Sequence, residues 1–399
     1  MIKVVDSIMG SGKSTWARDY INAHPEMRFL YVTPFLKEVE KVLLQCSSQS
    51  FFQPKDEISK QADIKRLFKE GANIATTHEL FKKLDLTQSD RDMISKHGYT
   101  LILDEVLETT EVQKKSKDDA QSILERYVEV NEDGRVRWTA PKYKGAFEDI
   151  KDLAERGTLY YFNNSVFIWQ FPIQTLCIFK DVYVLTFLFG ASHLRSDLDL
   201  NGIQYQYYYV QNGELLDGHE NLDSEKRRIR KLLEIYDSPK LNAIGQEESD
   251  LSKNWWRNEN YSKKGKKVKN NVRTLFETIW QVHSDEVMWS CFTDYKKRIA
   301  PKGYLKGFCE CNARATNDYG DKTCLAYLIN VYEHPYIQQW YLEKTIKIDQ
   351  TKYALSQLLQ WIWRSAIRNG KAVRLYLPSA RMRRILQNWL DDEEAELAA

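Results

Sequence analysis

The chain reads as an α/β protein built on parallel sheets and divided into two domains. Three observations carry that reading. The apolar run Ile2–Val5 leads directly into a glycine-rich turn and then a helix. Further apolar runs, each ending in polar residues, alternate with helical segments, which is the pattern of a parallel sheet with its ligands at the carboxyl ends of the strands. A length of 399 residues exceeds what one ordinary core organises.

The first turn is the most informative element. Met9–Thr15 reads Met-Gly-Ser-Gly-Lys-Ser-Thr between a strand and a helix. Glycines let the backbone curl so that N–H groups face an anion, and the helix N-terminus adds positive potential. Gly10, Ser11, Gly12, Lys13, Ser14 and Thr15 are therefore the expected nucleotide-binding residues. Lys13 would reach the terminal phosphates, and the Ser14 hydroxyl would hold Mg²⁺. The usual pattern opens with Gly where this chain has Ser7.

Further strands are expected at Arg28–Thr33, stopped by Pro34, at Asn73–Thr76, at Thr100–Leu103 and at Val182–Thr186, with a helix over Val39–Gln45. From about 106 to 180 the pattern is irregular and reads as an insertion, with Lys114–Asp119 turn-like and strands at Arg135–Thr139 and Phe167–Gln170. Domain boundaries are expected at 1–198 and 199–399, with Gln204–Val210 starting a second sheet. Residues 242–271 read as a basic, aromatic loop containing Trp255-Trp256-Arg257 and the lysine run Lys263–Lys269. Such a segment either holds single strands by stacking and phosphate contacts or is a solvated loop. Strands follow at Glu286–Cys291, Gly307–Cys311, Leu325–Asn330 and Ala372–Leu377, with helices over Tyr353–Arg368 and Ala380–Leu390 and an acidic tail from Asp391.

Composition bounds the partners. Hydrophobic residues make up 43% of the chain, enough for packed cores, and the formal net charge is only +2, so any nucleic-acid site must be local. Cys309 and Cys311 are the only close pair among six cysteines, and a lone C-x-C is a poor zinc signal. No apolar stretch is long enough to cross a bilayer, and Met1 leads straight into a strand without a leader. The expectation is a reduced cytoplasmic setting with no membrane partner.

The run Leu101-Ile102-Leu103-Asp104-Glu105 supplies the second half of a hydrolytic site. Asp104 would bind Mg²⁺ with Ser14, and Glu105 would polarise the attacking water as general base. An ordinary strand ending in acidic residues is the plain alternative for this run taken alone.

The order of these motifs resembles superfamily-2 (DEAD/DEAH-like) helicases: the phosphate loop, Tyr31-Val32-Thr33-Pro34, Ala75-Thr76-Thr77-His78, Asp104-Glu105, then Leu185-Thr186. Gln360-Trp361-Ile362-Trp363-Arg364-Ser365-Ala366-Ile367-Arg368 looks like their motif with a Gln and two arginines. With Asn312–Asn317 and Pro378–Arg383 it resembles a helicase-like group common in tailed bacteriophages. The resemblance implies two RecA-like parallel-sheet P-loop NTPase domains in tandem, ATP and Mg²⁺ as cofactors, and hydrolysis completed by a second-domain arginine. Gln360 would contact nucleotide. Arg368 is favoured as the finger, with Arg364 as its partner one helical turn away. Thr33, Pro34, Thr77 and His78, with Arg314, Thr316 and Asn317 of the second domain, would touch nucleic acid. The function implied is an ATP-dependent helicase or translocase in DNA replication or recombination. DNA, single-stranded or forked, is favoured over RNA, and partner proteins of those processes are expected. The residues depart from the family motif in spacing the arginines by four and in placing Trp363 where Gly is usual. A nucleotide kinase or a DNA-packaging ATPase is the competing reading of the phosphate loop.

Overall fold

The strand pattern folds as alternation demands. The computed structural model describes residues 1–57, 59–258, 263–311 and 318–392. They form two compact units: Met1–Ser7, Ser11–His219 and His334–Ile348 in the first, and Ile8–Gly10, Glu220–Glu333 and the chain from Asp349 in the second.

The first unit's strands are β1 (Ile2–Asp6), β2 (Phe29–Thr33), β3 (Phe51–Phe52), β4 (Asn73–Thr77), β5 (Thr100–Asp104), β6 (Thr110–Gln113), β7 (Val128–Val130), β8 (Val136–Trp138), β9 (Leu159–Phe162), β10 (Val166–Gln170), β11 (Asp181–Thr186), β12 (Tyr205–Gln211) and β13 (Glu214–Asp217). Eight of them make one sheet in the order β13-β12-β1-β11-β5-β2-β4-β3. All its pairings are parallel except β12 with β13. Successive side chains point to opposite faces, so both faces are apolar. Val4, Leu101, Leu103, Val182 and Val184 pack on one side with Ile64, Phe68, Ile94 and Leu194 from helices. Val5, Tyr31, Ile102, Tyr183 and Leu185 pack on the other with Trp16, Ile21, Val39 and Val42.

The insertion is more regular than its sequence suggests. It holds an antiparallel sheet β6-β10-β9, a hairpin β7-β8, and helices Lys117–Arg126 and Glu148–Glu155. The charged stretch from Lys114 enters the first of these helices because the Ser116 side chain accepts from the Asp119 N–H, a cap that satisfies an open backbone donor. A later segment joins this unit as well. The helix Pro335–Leu342 places Ile337, Trp340 and Tyr341 against Phe162 and Ile168. The buried Tyr341 hydroxyl donates to Asp197 Oδ1 at 3.0 Å and lies 2.6 Å from Thr110 Oγ1.

The second unit carries β14 (Leu233–Tyr236), β15 (Val287–Ser290), β16 (Cys324–Tyr327) and β17 (Val373–Tyr376), a fully parallel sheet in the order β14-β17-β16-β15. Four expectations are corrected here. The second sheet begins at β14, because β12 pairs in parallel with β1 of the first sheet. Within 242–271 the described residues are largely helical, at Lys253–Asn258 and Lys264–Arg273, with Val268 and Val272 buried. Gly307–Cys311 is no strand. The chain runs beside β15 through one bridge, Trp289 with Phe308, and a Cβ at Gly307 would meet the Val287 carbonyl oxygen at 2.4 Å. Finally, the helix expected over Tyr353–Arg368 spans Gln350–Ile362. The Ser365 hydroxyl then donates to the Ile362 carbonyl at 2.7 Å and caps a separate 3₁₀ turn, Ala366–Asn369.

Candidate nucleotide and Mg²⁺ site

Side chains converge at the carboxyl ends of β1, β5 and β2, where a parallel sheet presents its ligands. After β1 the loop turns on Gly10 (φ +83°) and Gly12 (φ +91°), left-handed conformations that suit glycine. Gly12 is the N-cap of the helix Lys13–Ala23, which has no side-chain cap and no acidic residue in its first turn. Its leading N–H groups are left for an anion. Ser11 Oγ is buried without a hydrogen-bond partner, and Lys13 Nζ donates to the Ser7 carbonyl at 2.5 Å. Both features fit a cradle that takes phosphate oxygens.

Ser7, which departs from the usual glycine, has a role of its own. It is 1% exposed, and its backbone φ is not positive, so glycine is not required there. Its hydroxyl accepts the Val210 N–H at 2.8 Å, tying β12 to the loop.

Asp104 and Glu105 close the other side. The Ser14 hydroxyl donates to Asp104 Oδ1 at 2.9 Å, and the buried Tyr31 hydroxyl donates to Oδ2 at 2.7 Å. Tyr31 went unrecognised in the sequence. The signal was the β2–β5 pairing, which sets Tyr31 beside Ile102 and aims its ring at the end of β5. His78 is buried, with Nε2 3.1 Å from the Asp104 carbonyl oxygen. Glu105 sits at φ +72°, a strained conformation for a non-glycine residue and one that clusters at functional sites. Burial, then the charge of Glu105, pushes the Asp104 carboxyl up to about 6, against the hydrogen bonds from Tyr31 and Ser14. A partly buried carboxylate beside a second carboxylate and a serine hydroxyl is a donor set that suits Mg²⁺. Ser14 and Asp104 would hold the ion.

That shift has a testable sign. The Asp104 carboxyl titrates near about 6 in the folded chain and near about 4 when unfolded. Protonation therefore favours the fold: the benefit is complete below about pH 4 and is lost as pH rises through about 6. Above that, the charged group costs the metal-free fold on the order of 1–3 kcal/mol. Asp104→Asn should raise the thermal midpoint of chelator-treated protein at about pH 8 and leave it unraised at about pH 4. Equal midpoints for both proteins at the higher pH would refute this account.

The remaining expected residues are dispersed. Thr33 is fully buried, Pro34 is partly exposed, and Thr77 caps the helix His78–Lys82 by accepting the Leu80 N–H. Exposed Phe35 and Leu36 follow Pro34. Arg314, Thr316 and Asn317 lie outside the described residues. In the second unit Gln360 is partly buried on its helix. Arg364 and Arg368 do not share a helical face, because the helix has ended before both. Arg364 is 8% exposed and Arg368 is exposed.

Comparison with known proteins adds lineage and fold. The YonV middle-domain model matches residues 108–169, and the YonV C-terminal Rossmann-like domain model matches 227–390. The SPbeta prophage-derived uncharacterized protein YonV of Bacillus subtilis (strain 168) is 36% identical over 411 residues, covering 98% of this chain and 99% of that protein. The chain belongs to the YonV family. The YonV middle-domain match falls on the insertion carrying β6 to β10, and the YonV C-terminal match contains all four strands of the second sheet. Among solved structures, apo XPD aligns over 98% of this chain and 95% of its own at 12% identity and TM-score 0.51. S. tokodaii Xpd4 aligns over 98% and 94% at 11% identity and TM-score 0.52. At such identities the likeness concerns the fold, which is helicase-like, with two RecA-like parallel-sheet domains. Among the described residues no helix is long and apolar enough to cross a membrane.

Proposed function

We propose that this chain is an ATP-dependent nucleic-acid motor, a helicase or translocase, encoded by a phage or prophage and acting in DNA replication or recombination. The observation that carries the reading is the Ser14–Asp104–Tyr31 hydrogen-bonded cluster beside Glu105, placed beyond a glycine loop at the ends of parallel strands. The helicase-like fold supports it, and the prophage origin of YonV supports the phage assignment.

In this reading the loop N–H groups and Lys13 bind the triphosphate. Bound Mg²⁺ would neutralise charge on the β- and γ-phosphates. Glu105 orients a water and takes its proton as the water oxygen attacks the γ-phosphorus. The bond from γ-phosphorus to the bridging oxygen breaks, and ADP and phosphate leave. Tyr31 and Ser14 hold Asp104 in place throughout. Arg368, with Arg364, would supply positive charge to the transferring group. Thr77, Pro34 and the second-unit residues Arg314, Thr316 and Asn317 would follow the strand.

The test is ATP turnover with no nucleic acid and with single-stranded DNA, duplex DNA, forked DNA and RNA. Stimulation by DNA, greatest with single-stranded or forked forms, is expected. Turnover that ignores every nucleic acid would overturn the motor reading and leave the nucleotide-kinase alternative.

A further inference from the structure

The second unit carries a concentration of positive charge that the nucleotide site does not use. Between 263 and 306 there are eleven Lys and Arg and four Asp and Glu, in a chain whose whole net charge is +2. Two packed helices organise it, Lys264–Arg273 and Lys296–Ile299. In the first, Gly265, Val268 and Val272 face the core while Lys266 and Lys267 are exposed. Lys297, Lys302 and Lys306 are exposed on and after the second. None of these five lysines forms an ion pair among the described residues. The second helix follows the carboxyl end of β15, so the charge lies toward the ligand-bearing edge of its sheet.

Two features say what this surface is for. First, the lysines oppose local stability. The helix Lys264–Arg273 has no acidic residue in its first turn, where carboxylates would suit the helix dipole, and lysines stand there instead. Second, the aromatic residues nearby are spent on packing. Trp255 and Trp256 are buried with ring centroids 4.8 Å apart, Trp256 packs on Tyr295, and Phe276, Trp280 and Tyr304 are buried. The stacking expected of Trp255 and Trp256 is therefore not available to a bound base. Single-strand sites combine basic grooves with exposed aromatic platforms. A basic surface on which the described residues present no such platform suits a ligand whose bases are already stacked and whose phosphates face outward.

We propose that the surface formed by Lys266, Lys267, Lys297, Lys302 and Lys306 binds the phosphate backbone of duplex nucleic acid. The proposal rests on the motor reading and adds a second contact to it: duplex held at the second unit while a single strand engages the strand-following residues.

The experiment compares full-length wild type with Lys266→Glu/Lys267→Glu. The probes are a single-stranded DNA oligonucleotide and the same oligonucleotide extended by a blunt DNA duplex. Wild type should bind the extended DNA more tightly. The variant should lose on the order of tenfold on that DNA, and its log–log salt slope should fall by about two. Its single-strand affinity and single-strand-stimulated ATPase should stay at wild-type levels. Because glutamates suit the first turn of a helix, the variant should also be at least as heat-stable, which separates lost binding from lost folding. Unchanged duplex affinity and slope would overturn the proposal and point to an acidic protein as the partner. Equal loss on both probes would overturn it in favour of a single-strand site. A wild type that binds neither DNA and shows no stimulated turnover would instead remove the motor reading.

Discussion

Lys13→Ala and Glu105→Gln should each abolish nucleic-acid-stimulated ATP hydrolysis, for different reasons. Lys13 stands on the first helical turn after Gly12, with its ammonium folded to the Ser7 carbonyl. Removing it leaves the phosphates without their mobile positive partner, so nucleotide binding and turnover should fall together. Glu105→Gln keeps side-chain volume and loses only the ability to take a proton. A positioned general base contributes roughly 10²–10⁴-fold, so turnover should fall by about that factor while nucleotide binding persists. Steady-state phosphate release at saturating single-stranded DNA, beside binding of a fluorescent nucleotide, separates the two. Wild-type turnover in either variant would show that the site has been misassigned.

Arg368→Ala should lower kcat on the order of 10³-fold with little change in KM for ATP, as expected when a charge that acts on the transferring phosphoryl group is removed. The structure distinguishes it from its neighbour. Arg364 is 8% exposed and lies near Cys309, Tyr319 and Tyr327, whereas Arg368 is exposed on the capped turn that follows. Arg364→Ala should therefore act first on stability, by about 3–5 kcal/mol if its charge is paired within the fold. Stopped turnover in Arg364→Ala with an unchanged denaturation midpoint, and near-normal turnover in Arg368→Ala, would exchange the two roles.

What the sequence revealed and what it hid follow from the range of the interactions involved. β1, β2, β4, β5 and β11 of the first sheet were legible because each is a short apolar run ending in polar residues, and the nucleotide loop was legible because its glycines and Lys13-Ser14 are contiguous. Tyr31 was hidden because its partner, Asp104, is remote in sequence and reaches it only through strand pairing. The placement of β12 was hidden for the same reason: nothing local tells a strand which sheet it will join, and the Ser7 hydroxyl that anchors it lies far upstream. Lysine density masked the helix Lys264–Arg273, whose buried face is narrow, with Gly265, Val268 and Val272 inward. The early end of the helix at Ile362 turned on one hydroxyl, Ser365, against a run of good helix formers.

The segment His334–Ile348 gives the molecule an unusual genetic property. It is encoded between β16 and the helix Gln350–Ile362, yet it completes the apolar cluster around Phe162 and Ile168 and caps the buried Asp197. The two halves are thus interleaved rather than strung end to end. No single cut in the gene yields either half whole, and recombination that swaps one half for a foreign counterpart would carry away part of the other. Such a chain is inherited as one piece, which agrees with its alignment to YonV across nearly the full length of both.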